Sequence, residues 1–391
     1  MTVSAGQVPF ARAEIVPEAQ QAALRVMRSG WITMGPETAG FEEDLASYLG
    51  ARHVVVVSSG TAAIELALRA LRLAPGAAVL TPSLTFCGAV APILQAGLRP
   101  ILVDVDQDTL LPTPATVRAA ACRVGCPAAM VVQHMAGHPA DIQELAHAAG
   151  LPTERVVEDA AHGLGAELDG TPVGATSHAA CFSFYATKNL PIGEGGAIAT
   201  NDDELAAVAR TARLHGLSHD AWRRYLPGGS WRYDVTEPGL KANISDIQAA
   251  IGRAQLRHLP AWQARREHLA ARYDAVLADV PGLVLPKRPA RGRHAWHLYQ
   301  VRVRPEYGLA RDLAIDALTN QGIGTSVHFI PVHQLSGFCA ALGTEECRSV
   351  PVTDRVADEI LSLPMYPMLT DACVGRVADA LLTLNGRTTA A

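Results

Sequence analysis

Short apolar runs alternate with stretches of helical periodicity along the first half of the chain. Residues 52–57, 77–82, 99–104, 128–133, 155–159, 179–184 and 195–200 read as seven strands. Between the first five lie segments such as TAAIELALRALRL and PADIQELAHAAG, whose apolar residues return at the spacing of one helix face. A βαβα series of this kind predicts an α/β fold: a doubly wound, mostly parallel seven-stranded sheet with helices on both faces. Ligand chemistry is then expected at the loops beyond the carboxyl ends of the strands. At Asp169 and Gly170 a turn interrupts the series, and the later strands follow more closely.

From about Ser245 the pattern becomes a long helical stretch, interrupted at Pro260, which has no amide hydrogen to donate. This stretch is the expected bridge to a second unit. There WHLYQVRV and IGTSVHF read as strands, and ARDLAIDALTNQG and DACVGRVADALLTL as helices. The expected division is a large, ligand-binding domain over residues 1–250, whose N-terminal segment packs on the small domain, and a smaller C-terminal α/β domain over residues 251–391. A chain of 391 residues, 49% hydrophobic and 18% charged, can bury two such cores.

The formal charge of −5, with no cluster of lysine or arginine, argues against a nucleic-acid partner. The first residues lack the basic and apolar regions of a secretory signal, and no segment reads as a membrane span, so a cytoplasmic location without membrane partners is expected. Seven scattered cysteines, an odd number, suit a reducing compartment. Cys122 and Cys126 lack a second Cys or His pair to complete a zinc set, and no HExxH spacing occurs, so no metal is expected.

Lysine is scarce: Lys188, Lys241 and Lys287 stand against thirty arginines. Lys188 follows the apolar run in CFSFYATKNLPIGEGG. An amine at the end of a buried strand is partly desolvated and loses its proton more readily, which suits a covalent anchor for an aldehyde cofactor; arginine cannot serve. The plain alternative is a solvated loop lysine. Ser59, Gly60, Thr61 and Ala62 sit between a strand and a helix, where free amides and the helix dipole favour a phosphate, although Ser and Thr also simply cap helices there. Pyridoxal phosphate needs both features, together with an anion at its ring nitrogen. Asp159, at the carboxyl end of a central strand, is suited to that role, or to capping a short helix. His162, three residues on, could pack over the ring or hydrogen-bond to it, although a lone histidine is more often structural.

The segments RSGWITMGPETAGFEEDLASYLGA, VSSGTAAIELAL, TPSLTFCGAV, VVEDAAHGLGA, FSFYATKNLPIGEGGAIATND, GLKANISDIQAAIG, GIGTSVHFIPVH and LSLPMYP follow one another in this order, within a likeness that extends from about Glu14 to Leu384. With them the chain resembles the DegT/DnrJ/EryC1/StrS family, pyridoxal-phosphate-dependent sugar aminotransferases of the aspartate aminotransferase fold (fold type I). The resemblance implies that Lys188 forms the internal aldimine and then shuttles the proton, and that Asp159 pairs with the pyridinium. It implies that Phe86 stacks on the ring opposite His162, and that Gly60, Thr61, Ala62 and Ser183 hold the phosphate. Asn243 would reach the phosphate of the neighbouring subunit, giving a homodimer with shared active sites. Ala242 departs from the aromatic residue common in the family. Trp31, Tyr185 and His328 fall in segments that face the substrate in relatives.

Relatives that dehydrate a deoxysugar replace the anchoring lysine with histidine, so retention of Lys188 favours transamination. The GLKANISDIQAAIG form resembles enzymes acting at C4 of a nucleotide-linked 4-keto-6-deoxyhexose, with C3 ketosugars or ketocyclitols as the alternative. L-Glutamate is the implied amino donor, loading the cofactor as pyridoxamine phosphate in a ping-pong cycle. The arginine-rich, lysine-poor composition suggests service in natural-product glycosylation by analogy. A non-catalytic pyridoxal-phosphate-binding regulator, or a decarboxylase or aldolase on the same fold, would share Lys188 and Asp159.

Overall fold

Val54 and Val56 pack into one apolar cluster while Val55 and Val57 pack into another. Successive side chains of a strand point to opposite faces, so an unbroken valine run requires cover on both. The computed structural model describes residues 6–217, 233–235 and 237–386. Twelve strands occur among them: β1 (His53–Val57), β2 (Ala78–Pro82), β3 (Arg99–Val103), β4 (Ala129–Gln133), β5 (Val156–Asp159), β6 (Glu167–Leu168), β7 (Thr171–Pro172), β8 (Ala179–Ser183), β9 (Gly196–Thr200), β10 (Leu283–Val284), β11 (Tyr299–Val303) and β12 (Ile360–Leu363). Seven of them form one sheet in the order β1-β9-β8-β5-β4-β2-β3. All seven coincide with the apolar runs read from the sequence.

The pairings β3-β2, β2-β4, β4-β5 and β5-β8 are parallel, whereas β9 runs antiparallel to both β8 and β1. Helices Gly60–Ala70, Cys87–Gln95, Pro114–Val124 and Ile142–Ala149 supply the crossovers between the first five strands. Each parallel connection returns the chain to the same edge, so the residues following β1, β4, β5 and β8 converge there. Asp169 and Gly170 both have positive φ between β6 and β7, the geometry of a two-residue hairpin turn.

The helical stretch divides at the expected place. Helix Asp246–Leu256 ends, and a second helix, Leu259–Leu277, starts with Pro260 in its first turn, where a missing amide hydrogen is tolerated. The second sheet, β10-β11-β12, is antiparallel. It packs with Tyr273 and Leu277 of the long helix and with Val377 and Leu381 of helix Asp371–Leu384. Val8 belongs to the same cluster and bridges Ile323.

IGTSVHF is not a ladder strand, contrary to its alternating pattern. Gly322 and Gly324 pair with Val8, and only Ser326 bridges Ser362. The segment then leaves β12 and carries His328 and Phe329 to a cavity at the first sheet. Ile323 is buried in the second core and Phe329 packs against the first, without a continuous partner strand.

Asp246 joins the two ends of the large core. Its carboxylate is buried and accepts from the amides of Gly35 at 2.7 Å, Glu37 at 3.1 Å and Thr38 at 3.0 Å, and from the Thr38 hydroxyl at 2.7 Å. It thereby caps helix Pro36–Leu49 from a distant helix, opposite the positive end of the dipole. Asp246→Ala strands these donors in the interior and is expected to lower unfolding stability by about 3 kcal/mol in chemical denaturation; a loss below about 0.5 kcal/mol would remove Asp246 from this role.

Candidate active site

A cavity of about 490 Å³ opens at the carboxyl edge of the first sheet. Ser59, Gly60 and Thr61 reach it from the end of β1 and the start of helix Gly60–Ala70, Asp159 from the end of β5, and Ser183 from the end of β8. Tyr185 and Lys188 follow in the loop between β8 and β9, and His328 and Phe329 arrive from the second unit. The crossover connections thus bring together residues that lie far apart in sequence.

Lys188 is half-buried and lines the cavity. Burial lowers its pKa to about 8, and Asp159 opposes that shift. Asp159 is fully buried, and burial raises its pKa, opposed by the Ala161 amide, 3.1 Å from Oδ1, and by Lys188 and His134. Desolvation outweighs the attraction within the pair at both ends, so each group is driven toward its neutral form. A cation received at Asp159 would oppose the upward shift and favour its ionised form.

The histidines here are held neutral. Nδ1 of His162 accepts the Ala136 amide at 3.2 Å, which leaves any proton on Nε2, and burial pushes its pKa well down. His297 packs against it with ring centroids 4.4 Å apart and is lowered in the same way. Asn189 spends its amide nitrogen on the carbonyls of Leu164 and Ala295, at 3.2 and 3.0 Å, so its oxygen must accept from Nδ1 of His297 at 3.2 Å. The hydrogen-bond network therefore assigns His297 a free acceptor at Nε2. Burial lowers His328 to about 4, and its Nδ1 lies 2.9 Å from the Ser362 hydroxyl.

The residues fit pyridoxal 5'-phosphate. A Cβ on Gly60 would meet Cβ of Ser183 at 3.1 Å, and one on Gly88 would come within 2.5 Å of the Thr61 hydroxyl, so small residues leave room at this helix start, where a phosphate would fit. Lys188 has a depressed pKa, and with the cofactor bound Asp159 would lie ready as an anion for the ring nitrogen, with His162 and Phe86 as planar groups for the ring. Phe86 is 56% exposed and Tyr185 47%, large apolar surfaces left uncovered beside a cavity they line.

Most of the residues singled out in the sequence line this cavity: Ser59, Gly60, Thr61, Phe86, Asp159, His162, Ser183, Tyr185, Lys188 and His328. Three do not. The Ala62 amide is taken by the Ser59 hydroxyl at 3.1 Å, which makes Ser59 a helix cap as well as a cavity residue. Asn243 accepts from the Lys241 ammonium and donates to the Ile244 carbonyl at 3.1 Å. Trp31 is half-buried beside Gly35 and Asp246. Gln133, Glu194, His297 and Phe329 line the cavity without having been singled out. Gln133 carried the same signal as Asp159, a polar residue closing an apolar central strand; the others have no local signature. Among the described residues, no group of three or more His, Cys, Asp or Glu could hold a metal ion. No described helix is long and apolar enough to cross a membrane.

Known proteins resemble this chain along nearly its whole length. The chain is 40% identical over 376 residues to the spore coat polysaccharide biosynthesis protein SpsC of Bacillus subtilis strain 168, an alignment covering 96% of each. It superposes on S. venezuelae DesV in complex with a ketimine intermediate with a TM-score of 0.84 and 34% identity, covering 97% of this chain and 100% of that one. The PMP form of the putative sugar aminotransferase Spr1654 from Streptococcus pneumoniae gives a TM-score of 0.88 at 27% identity, covering 97% and 99%. Residues 13–382 match the DegT/DnrJ/EryC1/StrS aminotransferase family. The protein belongs to that family and is an aminotransferase.

Proposed function

We propose that this aminotransferase moves the amino group of L-glutamate to a nucleotide-linked ketosugar, at C4 of a 4-keto-6-deoxyhexose, in a ping-pong cycle with pyridoxal phosphate. The observation that carries the reading is the desolvated Lys188 facing the buried Asp159 across one cavity. The sugar aminotransferase described for Spr1654 and the ketimine complex of DesV support the reaction class.

When bound, the cofactor supplies an electron sink for the carbon that gains or loses the amino group. Lys188 holds and moves the proton at Nζ, for which a pKa of about 8 keeps both protonation states populated near neutral pH. Asp159 anchors the ring nitrogen, and the Ala161 amide fixes its carboxylate. His162, neutral and oriented by the Ala136 amide, contributes a face without adding charge. Glu194 is exposed at the cavity wall and is placed to meet the hydroxyls of a sugar.

We further propose a homodimer. Asn243 does not line the cavity of its own chain, and in this reading it reaches the phosphate bound by its partner, while Phe86 and Tyr185 are covered by substrate or by the second subunit. The described cysteines are all free thiols, which suits a cytoplasmic protein.

Incubated with glutamate and a panel of nucleotide-linked 4-ketosugars, 3-ketosugars and ketocyclitols, the protein is expected to release 2-oxoglutarate together with a 4-aminosugar. Amination only of a 3-ketosugar or cyclitol would redirect the substrate; bound cofactor with no product would favour a regulator. Lys188→Ala should abolish the borohydride-reducible visible chromophore, and its persistence would overturn the anchor. The rate at which apoprotein captures pyridoxal phosphate should rise with pH through a midpoint of about 8. At pH 7 such an amine is neutral in roughly one molecule in ten, against fewer than one in a thousand for an ordinary lysine. Asp159→Asn removes the charge that opposes the shift and should move this midpoint lower.

A further inference from the structure

Gln133 closes β4 and stands in register beside Asp159 of β5. Neighbours in a parallel pair project from the same face, about 5 Å apart. The Gln133 side chain is 3% exposed and lines the cavity, and its carboxamide oxygen is buried with no hydrogen-bond partner. The preceding residues of the strand, Met130, Val131 and Val132, are apolar, so packing gives no reason for an amide here. A buried carboxamide oxygen left unpaired is costly, and a half-turn of the amide exchanges its oxygen and nitrogen, so the side chain can turn its N–H toward an acceptor on a ligand.

Strand order says which part of the ligand that is. Ser183, of the phosphate cradle, lies on the β8 side of Asp159, and Gln133 lies on the β4 side. In pyridoxal phosphate, the phosphate arm and the 3-hydroxyl lie on opposite sides of the axis from the ring nitrogen to the aldehyde carbon. With the nitrogen at Asp159 and the phosphate toward Ser183, the 3-oxygen faces β4. We propose that Gln133 donates a carboxamide hydrogen bond to the 3-oxygen of the cofactor and thereby lowers the basicity of the nitrogen joined to Lys188. This rests on the pyridoxal phosphate reading above.

The sign follows from charge. A negative 3-oxygen holds the proton on the neighbouring nitrogen, and a donor that shares that negative charge weakens its hold. Gln133→Met keeps the volume and removes the donor. In the loaded protein, the pH midpoint of the visible band should rise by about one unit, a tenfold change in proton affinity. Replacing pyridoxal phosphate by its 3-deoxy analogue should weaken binding about tenfold more in the native protein than in Gln133→Met, since only the native protein loses the extra bond. Coincident midpoints, or equal losses with the analogue, would overturn the proposal. Absence of a visible band in the native protein would instead overturn the cofactor reading itself. Should Gln133→Met fail to fold by circular dichroism, a crystal structure of the loaded native protein decides. The carboxamide nitrogen is expected within about 3.2 Å of the 3-oxygen, and a separation beyond about 4 Å excludes the bond.

Discussion

Desolvation of Lys188 against Asp159 is the constraint around which the large sheet is arranged. An amine and a carboxylate taken out of water together are each pushed toward neutrality where desolvation outweighs their attraction, and here burial does so to both. That arrangement is a poor way to stabilise a fold and a good way to hold a reactive amine close to its working pH. It also explains why the surrounding histidines are kept uncharged. A protonated His162 or His297 would add positive charge beside Lys188 and further depress it, and burial lowers both rings well below the ordinary range.

Keeping such a pair in place requires a rigid frame. Asp159 terminates a strand paired on both sides, to β4 and to β8, so its backbone cannot drift. Lys188 lies in a loop and needs other anchors. Asn189, its neighbour, ties that loop to the Leu164 and Ala295 carbonyls and to His297. Behind it, the buried Arg266 donates to the carbonyls of Trp296, His297 and Met365, at 3.0, 3.4 and 3.1 Å. The long helix thus clamps the lead into β11 and the exit from β12, and the described residues that the second unit brings to the cavity, His297, His328 and Phe329, include no carboxylate.

The parts legible in the sequence were those with a local physical signature. Strands buried on both faces must be apolar throughout, which exposed all seven members of the sheet. Pro260 marked the helix break because a missing donor is tolerated only in a first turn. Lys188 and Asp159 stood out as polar residues ending apolar runs. The antiparallel direction of β9 was not legible, because an apolar run has no polarity. IGTSVHF misled because alternation records which side chains are buried, not whether a neighbouring strand exists. His297 and Phe329 approach from the second unit, and only the assembled fold places them against His162, with which Phe329 stacks at 5.8 Å.

The cavity wall also separates what is common from what is selective. The strand ends contribute Asp159, Ser183 and Gln133, held by ladder hydrogen bonds on rigid backbone, and these face the region suited to the cofactor. The outer wall comes from loops and from the second unit: Tyr185, Glu194, His328 and Phe329. Loop residues change without disturbing a core, whereas a change at a strand end shifts its paired neighbours. Substrate choice should therefore be written in the outer set. The fold brings that set together from two distant stretches of chain, residues 185–194 and 328–329, so neither stretch alone specifies which sugar is accepted.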